Sequence, residues 1–304
     1  MKPFLWFLLP VFVAAFTSVI KEERPTKNAI EYNDNLLQRV RAAAKTVPGN
    51  APLSINYIKY AESRRPCNLV VEGGSNDTCV MARTAFQLMY PDGWIMVDAG
   101  MDRAVHHFFE KAGPQPFDDA KAASVKKAVE GARLVLITHE HGDHVAGAVH
   151  NASSNIPGKT ILTRQQADAL INNPMMPEIA LTNETSRRYM IVDFEDILPV
   201  APGVVLIKAP GHTKGEIMIY ARLKNGKEYL FTGDVSWSYA AVAENKLKPE
   251  SERKRLSEDS EMIVKQLAWI NGLMTKEKIT MLVSHDNIML PQFAAKGLIK
   301  NGFK

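Results

Sequence analysis

The apolar and polar positions divide the chain into an unbroken apolar opening and a long periodic remainder. Residues 3–20 carry no charge, with Lys2 before them and Lys21-Glu22-Glu23-Arg24 after. Beyond them, Leu37, Val40 and Ala44 share one face of a helix that Asp34 can cap and that Pro48-Gly49-Asn50 ends. Strand-like runs follow at 55–60, 79–90 and 94–97, and Pro91-Asp92-Gly93 turns the last two into a hairpin. Helical spacing covers 103–112 and 118–130. Arg133-Leu134-Val135-Leu136-Ile137 is then a short continuous apolar run, the pattern of a strand covered on both faces.

The second half repeats this mixture. Strands are expected at 204–208, 216–222, 228–232 and 279–283, and helices at 164–172 and 258–274. The last helix has Ser257 as its expected cap and Ile263, Leu267, Ile270 and Met274 on one stripe. The charged approach from Lys246 to Arg255 reads as a solvated face. With no Gly/Ser linker and no short repeat, residues 28–304 form one α/β domain with mixed strands and helices on the outer faces.

Composition narrows the class. A chain of 304 residues that is 46% hydrophobic is neither disordered nor a polytopic membrane protein. A net charge of +4 falls short of a nucleic-acid-binding footprint. Residues 1–20 have the form of an export signal, with small residues at Val13-Ala14-Ala15 for cleavage, or of an uncleaved anchor. The expected location is therefore periplasmic or secreted, with membrane attachment through 3–20 as the variant. Cys67 and Cys79 flank a turn-rich segment, so they either bridge in an oxidising compartment or stay as buried thiols.

The chemistry concentrates after the apolar run, in Thr138-His139-Glu140-His141-Gly142-Asp143-His144. Three imidazoles and two carboxylates supply nitrogen and oxygen ligands suited to zinc or a similar divalent ion. In an extended loop, His139 and His141 project to the same side and can grip one ion. Asp143 and His144 turn into the next helix and can address a second, and small Gly147 lets that helix approach closely. Pro210-Gly211-His212-Thr213, Phe231-Thr232-Gly233-Asp234 and Val283-Ser284-His285-Asp286 each follow an apolar strand, where the loops of α/β folds build their sites. Five of the eight histidines fall into this constellation.

The string HEHGDH, followed in order by PGHT, TGD and SHD, resembles the metallo-β-lactamase superfamily over about residues 67–290. Val97-Asp98-Ala99-Gly100 resembles its early strand-end motif, whose aspartate supports the metal site from behind. The resemblance implies a four-layer αβ/βα sandwich with a dinuclear site at one edge and two divalent ions as cofactors, zinc foremost. It further implies that His139, His141 and His212 hold the first ion, Asp143, His144 and His285 the second, and Asp234 both. Two ions roughly 3.5–4 Å apart share a water whose pKa falls towards neutrality, giving a bridging hydroxide that attacks the substrate. Asp143 would then be the catalytic proton shuttle.

Within the superfamily, Asp234 argues against a true β-lactamase, which generally lacks that bridge. His141 stands where flavo-diiron oxidoreductases need an acid. No basic tract suggests a nuclease, and the nineteen residues after His285 do not supply the helical domain of a glyoxalase II-type thioesterase. The N-acyl homoserine lactonase-like branch resembles the chain best, which implies a hydrolase of a lactone or related small-molecule ester; with the apolar opening, the expectation is an exported one. The alternatives are a β-lactam or thioester hydrolase on the same site, or a metal-binding scaffold without catalysis. Trp237 stands where those lactonases usually hold a tyrosine, and an indole can only donate one hydrogen bond. Tyr239 or Ser236 is the expected stand-in. Met175 and Met176, between the metal motifs, either line a substrate pocket or simply pack. The oligomeric state is left open.

Overall fold

The computed structural model describes residues 30–110 and 113–304, so the segment expected to direct export lies outside the described residues. In chain order the strands among those residues are β1 (Ser54–Pro66), β2 (Thr78–Tyr90), β3 (Gly93–Val97), β4 (Leu134–Leu136), β5 (Thr160–Thr163), β6 (Met190–Val192), β7 (Ile197–Ala201), β8 (Val204–Lys208), β9 (Ile217–Arg222), β10 (Glu228–Phe231), β11 (Thr280–Leu282) and β12 (Lys300–Asn301). They form two mixed sheets, ordered β12-β1-β2-β3-β4-β5-β6 and β11-β10-β9-β8-β7.

Three apolar clusters separate the layers. Between the sheets lie Ile55, Phe86, Leu88, Leu206, Ile219 and Phe231. Phe86 meets Phe231 edge-on across that gap, with centroids 5.1 Å apart, an arrangement worth about 0.5–1.5 kcal/mol beyond burial. A second cluster packs the outer face of the first sheet against helices Asp119–Gly131 and Gly142–Val149 through Val125, Val129, Val145 and Ala148. A third packs the other sheet against helices Asp34–Ala43 and Ser260–Thr275 through Leu37, Val40, Leu267 and Ile270. Helix, sheet, sheet, helix is the four-layer αβ/βα sandwich that the motif string implies.

The alternating strands pair as their periodicity requires. β1 and β2 run antiparallel from Ser54↔Met89 to Pro66↔Thr78, longer than the 55–60 run suggests, and a Cys67–Cys79 disulfide closes the far end. Parallel pairing joins β3 to β4 and β10 to β11, so the loops after these strands emerge on one edge.

Several local expectations need correction. Asn33, not Asp34, caps the first helix, its side chain accepting from Leu36 N. The helix begun at Arg103 ends at His107, and Asp102 is its cap. Ser257 does not cap the last long helix. It sits at φ 57° as the left-handed end of helix Glu250–Leu256, and Asp259 takes the cap by accepting from Met262 N. The 246–255 segment is not a purely solvated face either, because Lys248 is 3% exposed and Glu252 is 8%. Both turn inward to answer charges near the loop edge.

Candidate metal centre

The edge where the strand ends converge gathers the ligand-type side chains. Thr138 and His139 follow β4, His212 follows β8, Asp234 follows β10 and His285 follows β11. Helix Gly142–Val149 begins directly after His141 and carries Asp143 and His144 in its first turn. That helix lies hard against the loop after β3. Gly147 N donates to Gly100 O, and a Cβ on Gly147 would stand 2.1 Å from Ala99 O. A larger residue there would push the ligands off the cluster.

Two groups result. His139, His141, His212 and Asp234 present ligand atoms within 4.8 Å of one another, as do Asp143, His144 and His285. In the first group, His141 Nδ1 lies 3.1 Å from His139 Nε2 and 3.0 Å from His212 Nε2. In the second, His144 Nε2 is 3.4 Å from His285 Nε2 and 3.3 Å from Asp143 Oδ2. Asp234 stands between them. Its Oδ2 is 3.6 Å from His212 Nε2 and 3.1 Å from His285 Nε2, and its Oδ1 is 3.5 Å from His144 Nε2.

The ring tautomers follow from what stands behind each imidazole. His285 Nδ1 lies 2.7 Å from Ala82 O, a carbonyl that can only accept. His144 Nδ1 faces Asp98 Oδ2 at 2.8 Å, and His212 Nδ1 faces Glu258 Oε1 at 2.5 Å. Each of these Nδ1 atoms therefore donates outward, leaving Nε2 aimed into the cluster, which is how acceptors behind metal-bound histidines fix the ring. Asp98 does this from a left-handed backbone, φ 60°, costing about 1–2 kcal/mol, while its Oδ1 accepts from Thr138 N and Oγ1. Lys248 supports Glu258 at 2.7 Å and donates to Asp234 O.

The donor set fits divalent cations. Ring nitrogens of His139 and His212 both face His141 Nδ1 at 3.0–3.1 Å, and a single proton there can bond only one of them. That spacing is close to the roughly 3.3 Å edge of a tetrahedron with ~2.0–2.1 Å metal–nitrogen bonds. Asp234 Oδ1 is buried without a hydrogen-bond partner among the described residues, a costly arrangement that a cation would relieve.

Electrostatics divide the two groups. Burial pushes His139, His141 and His212 down, His141 to about 4, so their rings are neutral and their lone pairs free. His144 is held well above the usual histidine range: burial opposes the charge, but Asp143, Asp98 and Asp234 outweigh it. Burial likewise works against ionised Asp143, yet the Arg83 guanidinium and His144 keep its carboxyl far below the usual range. Glu216, which accepts from Asp234 N at 2.5 Å, is pushed well up by burial and by Asp234 and stays protonated.

Arg83 is a residue that sequence reading missed. It projects from β2 and is 4% exposed, with Nη1 donating to Asp143 Oδ2 and Nη2 to Ser63 Oγ at 2.9 Å. No local motif marks it, since it lies sixty residues from Asp143. Glu258, Lys248 and Glu216 were missed for the same reason.

A cavity of about 370 Å³ opens on the cluster, bordered by Asp143, Asp234, Trp237, His285 and Met175. A second of about 710 Å³ continues from it past His141, His212 and Met175. The expected substrate residues divide. Trp237 and Met175 line the cavity, but the Trp237 indole N–H is committed to Asp234 Oδ2 at 2.8 Å. Met176 is a correction: it is 2% exposed in the core, its methyl against Gly142. Tyr239 is another, because its ring packs on Phe293 with centroids 5.7 Å apart, among the apolar clusters. Ser236 donates to Ser238 O and borders neither cavity. His106, His107 and His150 stand outside both groups, paired with Gln115 O, Glu110 and Asp102.

The sequence profile of the Metallo-beta-lactamase superfamily matches residues 84–263. An N-acyl homoserine lactonase of Bacillus cereus is 28% identical over 211 residues, 64% of this chain and 77% of that protein. Among solved structures, a mutant of B. thuringiensis AiiA with N-decanoyl-L-homoserine at its active site aligns with a TM-score of 0.62 at 18% identity, covering 80% of this chain and 96% of that one. AidC, a dizinc quorum-quenching lactonase in complex with a product, an N-acyl-L-homoserine, aligns at 0.53 and 14% identity over 71% and 76% of the two chains.

Proposed function

The chain belongs to the metallo-β-lactamase superfamily and is a metal-dependent hydrolase, and from that premise we propose that it opens a lactone or related ester at a centre of two divalent ions, zinc foremost. The observation that carries this reading is Asp234, whose two oxygens face both groups of convergent ligands at once. The curated relatives are lactonases, and solved neighbours of the same fold hold ring-opened homoserine products, which supports a small-molecule substrate.

His139, His141 and His212 would hold one ion, Asp143, His144 and His285 the other, and Asp234 both. Bound there, the ions supply Lewis acidity and an activated water. The chain's own groups do the rest. Neutral His139, His141 and His212 keep lone pairs available to the cluster, and Asp98, Glu258 and Ala82 O hold the rings of His144, His212 and His285 in place. Asp143 borders the cavity, and its ion pairs with Arg83, His144 and His285 all use Oδ2. Oδ1 is the oxygen that takes up the proton and passes it to the leaving alkoxide. The Trp237 N–H orients Asp234 rather than meeting the leaving group.

The test is a panel of lactones, β-lactams, thioesters and phosphodiesters with the metal-loaded protein. Turnover of lactones above all others is expected. Preference for a β-lactam or thioester would move the assignment to that substrate, and full metal with no turnover of any class would reduce the protein to a binding scaffold. We also propose export through residues 1–20. The Cys67–Cys79 bridge supports this, since such bonds persist in oxidising compartments.

A further inference from the structure

We propose that the cavity beside the metal cluster contains an anion subsite built by Arg65, Arg83 and Arg255, and that the substrate is an ester or lactone carrying a carboxylate. The inference rests on the hydrolase reading above and names the substrate class of that same site.

All three guanidinium-bearing residues border the 370 Å³ cavity that opens on the ligand cluster. Arg65 is the least satisfied. Its side chain is only 26% exposed, and its nearest carboxylate oxygen, Glu252 Oε2, is 3.7 Å away, outside hydrogen-bond range. That carboxylate is already committed, because Arg255 forks onto Glu252 Oε2 at 2.6 and 3.1 Å. Arg65 otherwise lies over the Trp237 ring, 5.6 Å from its centroid. Arg83 has its Nε buried without a partner, and its guanidinium stacks on Phe109 at 4.6 Å.

The guanidiniums are not equally paired. Arg83 has Asp143 and Arg255 has Glu252, both within hydrogen-bond range, while Arg65 has no carboxylate of its own. Neighbouring Arg64 contacts Glu62, which it shares with Lys59. A guanidinium that a bound molecule covers without hydrogen-bonding it is costly, and its planar fork of donors matches a carboxylate. A neutral acyl chain in this cavity would seal Arg65 away from water and leave it unpaired. A monoanion would satisfy both its charge and its donors.

The placement also sets where the carboxylate lies on the substrate. Arg65 lies against the indole whose N–H holds Asp234, so the anion sits about one ring away from the ligand cluster. The bond to be broken and the recognised charge are therefore close neighbours within one small molecule.

The experiment compares a lactone bearing a carboxylate with its methyl ester, using the metal-loaded protein and the variants R65Q and R65K. A charge-assisted hydrogen bond corresponds to about tenfold or more in affinity. The wild type should favour the carboxylate by at least that factor in kcat/KM, expressed mainly in KM. R65Q should bring the preference near unity, and R65K, which keeps the charge but loses the fork, should recover part of it. In parallel, calorimetry should show the ring-opened dicarboxylate binding wild type about tenfold more tightly than R65Q. Equal turnover of the two lactones, or a preference that survives in R65Q, overturns the subsite and leaves the hydrolase assignment standing. If neither lactone is turned over, the lactonase reading fails, and the calorimetry alone decides the subsite: equal binding by wild type and R65Q overturns it.

Discussion

The two ligand groups use the same side-chain chemistry but are backed differently. His139, His141 and His212 are neutral, and the Nε2 atoms of His139 and His212 converge on His141 Nδ1 at 3.0–3.1 Å. In the second group Asp143 is already engaged by Arg83, and His144 is held protonated by three carboxylates. The first group is organised to receive a cation. At the second, a cation must compete with a guanidinium and a proton for the same atoms. Proximity of ligands is therefore not a sufficient description of a metal site; what already satisfies those ligands sets its affinity.

Four substitutions break or sharpen that contrast, in falling order of expected effect. Asp234→Ala removes the carboxylate shared by both groups. Hydrolysis should fall by more than the about 10- to 100-fold that loss of a carboxylate behind a ligand costs. Bound metal should fall too, and steady-state kinetics with elemental analysis reads both. Activity near wild type would show that Asp234 bridges nothing.

Arg83→Met tests the competition at the second group. Removing one partner of a buried ion pair costs about 3–5 kcal/mol, so the metal-free protein should lose stability on that scale in chemical denaturation. The metal-loaded protein should lose less, because Asp143 then has a cation in place of Arg83. An equal loss in both states would mean that Arg83 and the second ion do not share Asp143.

The smallest changes separate the two groups. Glu258→Gln weakens the direct support of His212, and Asp98→Asn that of His144. Each should lower the affinity of one ion about 10- to 100-fold and the other less, as read by metal titration. If either variant weakened both ions alike, the groups would behave as one site.

How much of this was legible in the sequence depended on distance along the chain. HEHGDH was readable because its ligands share one loop and the first turn of one helix, so local geometry alone brings them together. Strand-end placement pointed to His212, Asp234 and His285 because apolar runs precede them. Arg83 lay inside a strand with no motif around it, and only the β1–β2 pairing and the sandwich set it against Asp143. Lys248 read as part of a charged surface and Glu258 as the first residue of the 258–274 helix, since sequence cannot distinguish a solvated lysine from one buried against a carboxylate. Tyr239 looked like a substitute phenol by its position in the chain, but a helix beginning at Tyr239 turns its ring onto Phe293.

The most direct measurement is calorimetric titration of the chelated protein with Zn²⁺ while lactone hydrolysis is followed on the same samples. Two ions per chain, bound in two resolved steps with activity rising on the second, is the predicted result. A single step ending at one ion or fewer, with full hydrolysis, would contradict a two-ion centre.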